Sequence, residues 1–173
     1  MVIFMNNNLL IIGAGGFGKN FYEIAMQSQK FDNIKFLDDN VTNDYVIGKC
    51  TQIENFIKDF TYVYPAFGDN VLRLKWVDKL KALGYKVPCV IHNSAYVSDS
   101  AKLEDGTVIL QNAIVNANVK IGKGVLINCG VIVDHDAVIE DGVHLCLGSI
   151  IKANITIKKC RKIEAGKIIE GNK

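Results

Sequence analysis

The chain has 173 residues, with 20 Lys and Arg against 18 Asp and Glu, a net charge of +2. Charges of both signs are interspersed along it, which leaves no concentrated basic face for nucleic acid, and apolar runs such as Leu9–Ile12 fall far short of the ~20 residues that span a bilayer. Five cysteines at irregular spacing, without any C-x-x-C pair, speak against a disulfide framework and a zinc ribbon, and Asn6, Asn7 and Asn8 interrupt anything like a signal peptide, so a cytoplasmic protein with buried or neutral thiols is expected.

In chain order, residues 8–12 read as a buried strand, followed at once by Gly13, Ala14, Gly15, Gly16, Phe17 and Gly18 and by a helix over 19–27. A strand, a glycine loop and a helix N-terminus are the parts of a nucleotide-binding unit, because glycines admit close backbone approach and the helix end offers free N–H groups to phosphate. The competing reading is a tight strand–helix turn. A second strand over 34–37 ends in Asp38 and Asp39, twenty residues after Gly18, where carboxylates can take ribose hydroxyls. A third strand, 62–64, leads through Phe67, Gly68, Asp69 and Asn70 into a helix over 71–83 that Gly84 ends. Val71, Leu72, Trp76, Leu80 and Leu83 recur at helical spacing, which makes Trp76 a core residue rather than a cofactor contact. A fourth strand, 87–91, feeds the second half. This unit, expected over 1–89, is roughly half a dinucleotide fold and suits a mononucleotide-type ligand better than NAD.

From Ile91 to Ile169 every sixth residue is Ile, Leu or Val, fourteen times without a break. A strand repeats every two residues and a helix every 3.6, so a strict period of six signals a repeat architecture. Three residues after each aliphatic stands a turn former, among them Ser94, Ser100, Gly106, Asn112, Asn118, Asp136 and Asn154, residues that tolerate left-handed backbone. The next position is mostly small or β-branched and shares the inward face. Six residues make one flat side and three sides close a coil of eighteen, stacked at about 4.8 Å. The expectation for 90–173 is an all-β parallel β-helix of hexapeptide repeats.

None of the three histidines, His92, His135 and His144, takes an inward position. His135 stands at a corner between Asp134 and Asp136, with Ala117 and Ala153 one coil below and above, so its imidazole has open space. A carboxylate beside it raises its pKa, as befits a general base near neutral pH; Asp136 is equally readable as one more turn residue, and either aspartate could be the partner. His144 points outward on a flat side in the column of Val108 and Leu126. Ile114, Ile132, Ile150 and Ile168 form an outward apolar column that a soluble monomer rarely exposes, which predicts a subunit interface and, for prisms of threefold outline, a cyclic trimer.

With these features the chain resembles the NeuD/PglD family of sugar acyltransferases over 9–157. The resemblance is carried by Gly13 to Lys19, Phe36 to Asp39, Phe67 to Asn70 with Arg73, Ile91 to Val97, and above all Ile127 to Asp136 followed by Gly142, Val143 and His144. It implies a Rossmann-like α/β N-terminal domain before a left-handed β-helix, and a trimer with sites between subunits. It further implies an acetyl-CoA-dependent acetyltransferase acting on the amine of a UDP-linked amino sugar, or on a sugar hydroxyl, in surface-glycan synthesis. His135 would then be the base and Asp136 its partner. Gly13, Gly15, Gly16, Phe17, Gly18, Asp38, Asp39, Phe67, Gly68 and Asn70 would hold the UDP-sugar. His144, Lys152 and Ala153 would lie along acetyl-CoA, a backbone N–H near Ala153 would steady the oxyanion, and no metal would be needed.

Two departures stand out. Ala153 occupies a position where the family usually has glycine, and after Ile157 the turn and small-residue columns decay to Cys160, Arg161 and Lys167. Lys158, Lys159, Arg161, Lys162 and Lys167 could meet CoA phosphates, although a charged cap on a solenoid end is the preferred reading. A short end could also mean weak CoA binding, another donor or lost activity. A catalytically silent nucleotide-sugar-binding or assembly protein is therefore one alternative, and a zinc enzyme built from histidines of neighbouring prisms is another, although spacings of 43 and 9 between the histidines converge on no obvious metal.

Overall fold

A computed structural model describes residues 7–171; the outer ends of both expected domains, 1–6 with Asn6 and 172–173, lie outside the described residues. The chain forms two compact units that part between Pro88 and Cys89.

The first unit is built on β1 (Leu9–Ile12), whose four side chains are fully buried. A central parallel strand is covered on both faces, which is why it reads as a continuous apolar run, and each such side chain contributes about 1.5–3 kcal/mol relative to exposure. Helix α1 (Gly16–Gln27) follows, then β2 (Ile34–Leu37), β3 (Val46–Gly48), a 3₁₀ helix (Cys50–Phe56), β4 (Tyr62–Pro65) and α2 (Asn70–Ala82). The sheet is parallel in the order β3-β2-β1-β4.

Four sequence expectations change here. Helix α1 begins at Gly16 rather than residue 19, because Gly15 in extended backbone serves as its N-cap. The edge strand β3 and the 3₁₀ helix were not expected. The inward face of α2 is Arg73, Leu74, Val77 and Leu80, while Val71 and Leu72 are exposed and Trp76 is half-buried. Asp69 caps this helix by accepting the Leu72 N–H at 2.7 Å. The strand expected over 87–91 forms only at its end, as β5 (Val90–Ile91): Lys86 makes an isolated bridge to Tyr62, and Pro88, lacking an N–H, interrupts the ladder.

The second unit is a left-handed parallel β-helix of fourteen two-residue strands, from β5 to β18 (Ile168–Ile169). Strands eighteen residues apart pair in register, Val90 with Val108, Val108 with Leu126 and Leu126 with His144 on one face. The aliphatic at every sixth position stacks in a single core from Ile109 to Ile163, with Ala113, Val119, Val125, Val131, Ala137 and Val143 filling between. The coil continues through Lys162–Ile163 to β18 despite Cys160 and Arg161, because Cys160 still adopts the left-handed corner at φ 55° and its N–H still reaches the Asp141 carbonyl. Ser94 and Ser100 stand in turns at their corners as expected, but without the positive φ of the other corner residues. Their hydroxyls instead accept the N–H groups of Asn112 and Asn118, at 3.1 and 3.0 Å in the coil above.

Candidate functional site

His135 lies on the corner between β12 (Ile132–Val133) and β13 (Val138–Ile139). The corner is tied to both neighbouring coils: the Asp136 N–H donates to the Ala117 carbonyl at 3.0 Å, and the His135 carbonyl accepts the Asn154 N–H at 3.1 Å. Asp136 takes the left-handed conformation at φ 59°, which sends the flanking carboxylates to different tasks. Asp134 accepts the His135 N–H at 2.8 Å and the Asn116 amide at 3.0 Å. Asp136 accepts the Asn118 amide at 3.2 Å through Oδ1 and faces His135 Nδ1 at 2.7 Å through Oδ2. Of the two aspartates, then, Asp136 is the imidazole's partner and Asp134 orders the backbone.

The electrostatics follow. The hydrogen bond that His135 donates to Asp136, with added attraction from Asp134, raises the His135 pKa above its ordinary value against a smaller opposing effect of desolvation. The same bond, with that from Asn118, lowers Asp136. Nδ1–H donating to a carboxylate leaves Nε2 as the basic nitrogen, on a side chain that is 53% exposed. A raised pKa keeps the ring protonated to higher pH, so the acid limb of kcat/KM is expected above the unperturbed ~6.5. Asp136→Asn removes the attraction and is expected to move that limb down toward 6.5 while lowering the plateau. A pH–rate profile of both forms checks this, and an unmoved limb would speak against the pairing.

Ala153 stands one coil above His135, and its N–H has no acceptor among the described residues. Lys152 is engaged by Glu170 at 2.5 Å, so an incoming phosphate would have to compete with that carboxylate. His144 lies on the face of Val108 and Leu126, which is not one of the two faces that meet at the His135 corner. Within one chain His144 is therefore not beside His135 and Ala153; its Nε2 sits 3.7 Å from Cys146 Sγ. His92 occupies another corner, bonded to Ser94 at 2.8 Å. Among the described residues no group of three or more His, Cys, Asp or Glu side chains is arranged to hold a metal ion.

The glycine loop belongs to the first unit. Gly13, at φ 101°, donates its N–H to the Leu37 carbonyl at 2.8 Å. A Cβ on Gly18 would stand 2.0 Å from the Gly13 carbonyl oxygen, whereas one on Gly15 or Gly16 would meet nothing within 4 Å. The loop thus needs Gly18 for its own packing, and keeps open space at Gly15 and Gly16 where an anion could approach. Gly18→Ala is accordingly expected to destabilise the first unit by at least ~1–3 kcal/mol. Gly15→Ala should leave the unfolding midpoint unchanged; chemical denaturation of both variants checks the contrast.

Asp38 and Asp39 close this loop against β2. Burial tends to raise the Asp38 carboxyl, but N–H groups of Ala14, Val41 and Asn40 and the charge of Lys49 outweigh it and hold the group below its usual value. The Ala14 bond is 2.7 Å long and those from Asn40 and Val41 are 2.8 Å. Asp39 accepts the Cys50 N–H at 3.0 Å, and its carbonyl accepts the Lys49 ammonium. Burial first, then Asp39, pushes the Cys50 thiol up to about 11. The expected ribose carboxylates are thus also the groups that fasten the loop.

Sequence reasoning missed Arg73 as a site residue. Its guanidinium is fully buried under the turn after β4 and donates to the Phe67 carbonyl at 3.0 Å and to Asn70 Oδ1 at 2.9 Å. The Phe67 ring lies 5.9 Å from Trp76, which carries the Lys79 ammonium 4.6 Å above it. Asn116 and Asn118 were missed as well, although each lies eighteen residues before the aspartate it holds.

The sequence profile of the PglD N-terminal domain family matches residues 8–80. The acetyltransferase domain of PglB from Neisseria gonorrhoeae FA1090, solved in complex with acetyl coenzyme A, is 29% identical; the match covers 96% of this chain and 97% of that chain with a TM-score of 0.76. A second structure of that domain is 30% identical over 95% of this chain and 92% of that chain, TM-score 0.74. A mutant of GDP-perosamine N-acetyl transferase from Caulobacter crescentus, in complex with CoA and GDP-perosamine, shares the fold with a TM-score of 0.80 at 21% identity, over 94% of this chain and 88% of that chain.

Proposed function

The chain belongs to the NeuD/PglD-type family of sugar acyltransferases, and from that premise we propose that it transfers acetyl from acetyl-CoA to the amine of a UDP-linked amino sugar, with His135 as general base. The observation that carries this reading is the exposed imidazole held by Asp136 at 2.7 Å below an N–H at Ala153 that no described residue engages. In the proposed step, the sugar nitrogen attacks the thioester carbonyl and His135 Nε2 takes the proton that the amine loses. The charge developing on the carbonyl oxygen is met by the Ala153 N–H. Collapse breaks the carbon–sulfur bond, and the imidazolium returns its proton to the departing CoA sulfur. The open space over Gly15 and Gly16 takes the diphosphate, and Phe67, Gly68 and Asn70 border the same nucleotide.

A cytoplasmic homotrimer fits the column of Tyr96, Ile114, Ile132, Ile150 and Ile168, which pair in register along one face. Tyr96 is 59% and Ile168 53% exposed, an apolar ladder that association would cover. Sedimentation is expected to give a trimer at micromolar concentration, and Ile132→Asp is expected to dissociate it; a wild-type monomer would sink this part.

The acetyl-CoA complex of the gonococcal domain, matched over 97% of its length, favours a working transferase over a silent binding protein. Thiol release from acetyl-CoA across a panel of UDP- and GDP-linked amino sugars tests the reading. Turnover with a UDP-amino sugar supports it. Binding of both ligands without turnover selects the silent protein, and turnover confined to hydroxyl acceptors selects O-acetylation.

A further inference from the structure

The face of the prism that begins at the His135 corner carries a stack of like charges. Strands β7 (Lys102–Leu103) and β10 (Lys120–Ile121) pair in parallel register beneath β13, so Lys102, Lys120 and Val138 stand one above another on successive coils. At a coil spacing of about 4.8 Å, two ammonium side chains placed in this way repel each other and cost stability. Wherever else two of Asp, Glu, Lys or Arg lie eighteen residues apart in the β-helix, they are opposite in sign: Asp105 with Lys123, Lys123 with Asp141, Asp134 with Lys152, Glu140 with Lys158, Asp141 with Lys159 and Lys152 with Glu170. The lysine pair is the exception to that rule.

The chain itself does not neutralise the pair. Among the described residues neither Lys102 nor Lys120 has an ion-pair or hydrogen-bond partner. Both line a hollow of about 310 Å³ together with Ser100, Asn118, Asp136 and Val138. The one acid in that lining, Asp136, is already committed to His135 through Oδ2 and to Asn118 through Oδ1. Two uncompensated cations therefore stand beside the carboxylate that orients the imidazole. Lys120 lies one coil and Lys102 two coils below His135, whereas Ala153 lies one coil above it, and the residue over Val138 on this face is the uncharged Thr156. The cations are confined to the side of the imidazole away from the Ala153 N–H, which is the side left for the acceptor.

We propose that Lys102 and Lys120 form an anion subsite for the acceptor, taking an anionic oxygen group, phosphate or carboxylate, that the acceptor carries beside its amine. The inference rests on the nucleotide-sugar reading above and adds to it a second anchor, on the β-helix itself. The diphosphate of the nucleotide and a carboxylate on the sugar offer the lysines the same chemistry, and the ligands of the test separate them.

Calorimetric titration of the full chain with UDP, a UDP-linked neutral amino sugar and a UDP-linked amino uronate tests it, on the wild type and on the double variant Lys102→Gln, Lys120→Gln. The double variant is expected to lose about tenfold in affinity, the combined effect of removing two exposed cation–anion contacts, and the loss should shrink in about 0.5 M NaCl. If phosphate is the group held, all three ligands lose alike; if carboxylate is, only the uronate does. The thermal midpoint of the double variant should match or exceed that of the wild type, because the stack of like charges is gone; a clearly lower midpoint would make the lysines part of the fold and overturn the subsite. Unchanged affinity for all three ligands overturns the subsite while leaving nucleotide-sugar binding intact. Failure of all three to bind a wild-type chain that unfolds with a normal thermal transition overturns the subsite and the nucleotide-sugar reading together.

Discussion

Replacing His135 with alanine is expected to lower kcat/KM for acetyl transfer by about 10²–10⁴-fold, the usual contribution of a positioned general base, with little change in stability. The reason for the split is local. The imidazole is half exposed and contributes nothing to the prism core, which is made of the hexad aliphatics. The corner itself is held by main-chain bonds to Ala117 and Asn154 and by the Asp134 carboxylate on the main-chain N–H, none of which needs the ring. Thiol release measured beside a denaturation curve therefore separates the roles. Activity within threefold of wild type would remove His135 from the chemistry, and an unfolded variant would show that the corner depends on the ring after all.

Arg73→Met carries the second large effect, on the first unit. The Arg73 side chain is completely buried, and its removal takes the guanidinium donor away from the Phe67 carbonyl and from Asn70 Oδ1, in a turn that is itself partly exposed. Two hydrogen bonds to a charged donor at roughly 1.5–3 kcal/mol each, reduced where water reaches the acceptors, give an expected loss of about 2–4 kcal/mol. Arg73→Lys should recover only part of it, since an ammonium is a point charge that cannot bridge two acceptors with the geometry of a planar fork. Urea denaturation reads the loss, and a midpoint unchanged in Arg73→Met would show that the turn is held by other contacts.

Much of the second unit was legible because its geometry is written in side-chain period: each coil repeats the same three constraints, aliphatic, turn former and small residue. The separation of eighteen between vertical neighbours was legible too, and set Ala117 and Ala153 around His135, whereas the ion pairs at that separation, Lys152 with Glu170 and Lys158 with Glu140, were not expected. The division of labour between Asp134 and Asp136 was not, because it depends on the left-handed backbone at 136 and on which amide of the coil below reaches up. In the first unit the error over Val71, Leu72 and Trp76 has one cause. Apolar spacing allows more than one helix face, and the one that turns inward carries Arg73, Leu74, Val77 and Leu80. Arg73 escaped for a related reason, since a charged residue on a helix is ordinarily read as solvated. The edge strand β3 is only three residues long and pairs with β2 across an irregular register, too short for a pattern.

The most direct test of the central claim is a structure of the full chain with CoA and a UDP-amino sugar bound together. The account predicts the sugar nitrogen within hydrogen-bond reach, about 2.6–3.2 Å, of Nε2 of an His135 imidazole whose Nδ1 remains on Asp136, with the pantetheine sulfur on the Ala153 side of the corner. A sugar amine seated out of reach of every His135 ring in the assembled particle, with both ligands fully bound, would contradict it.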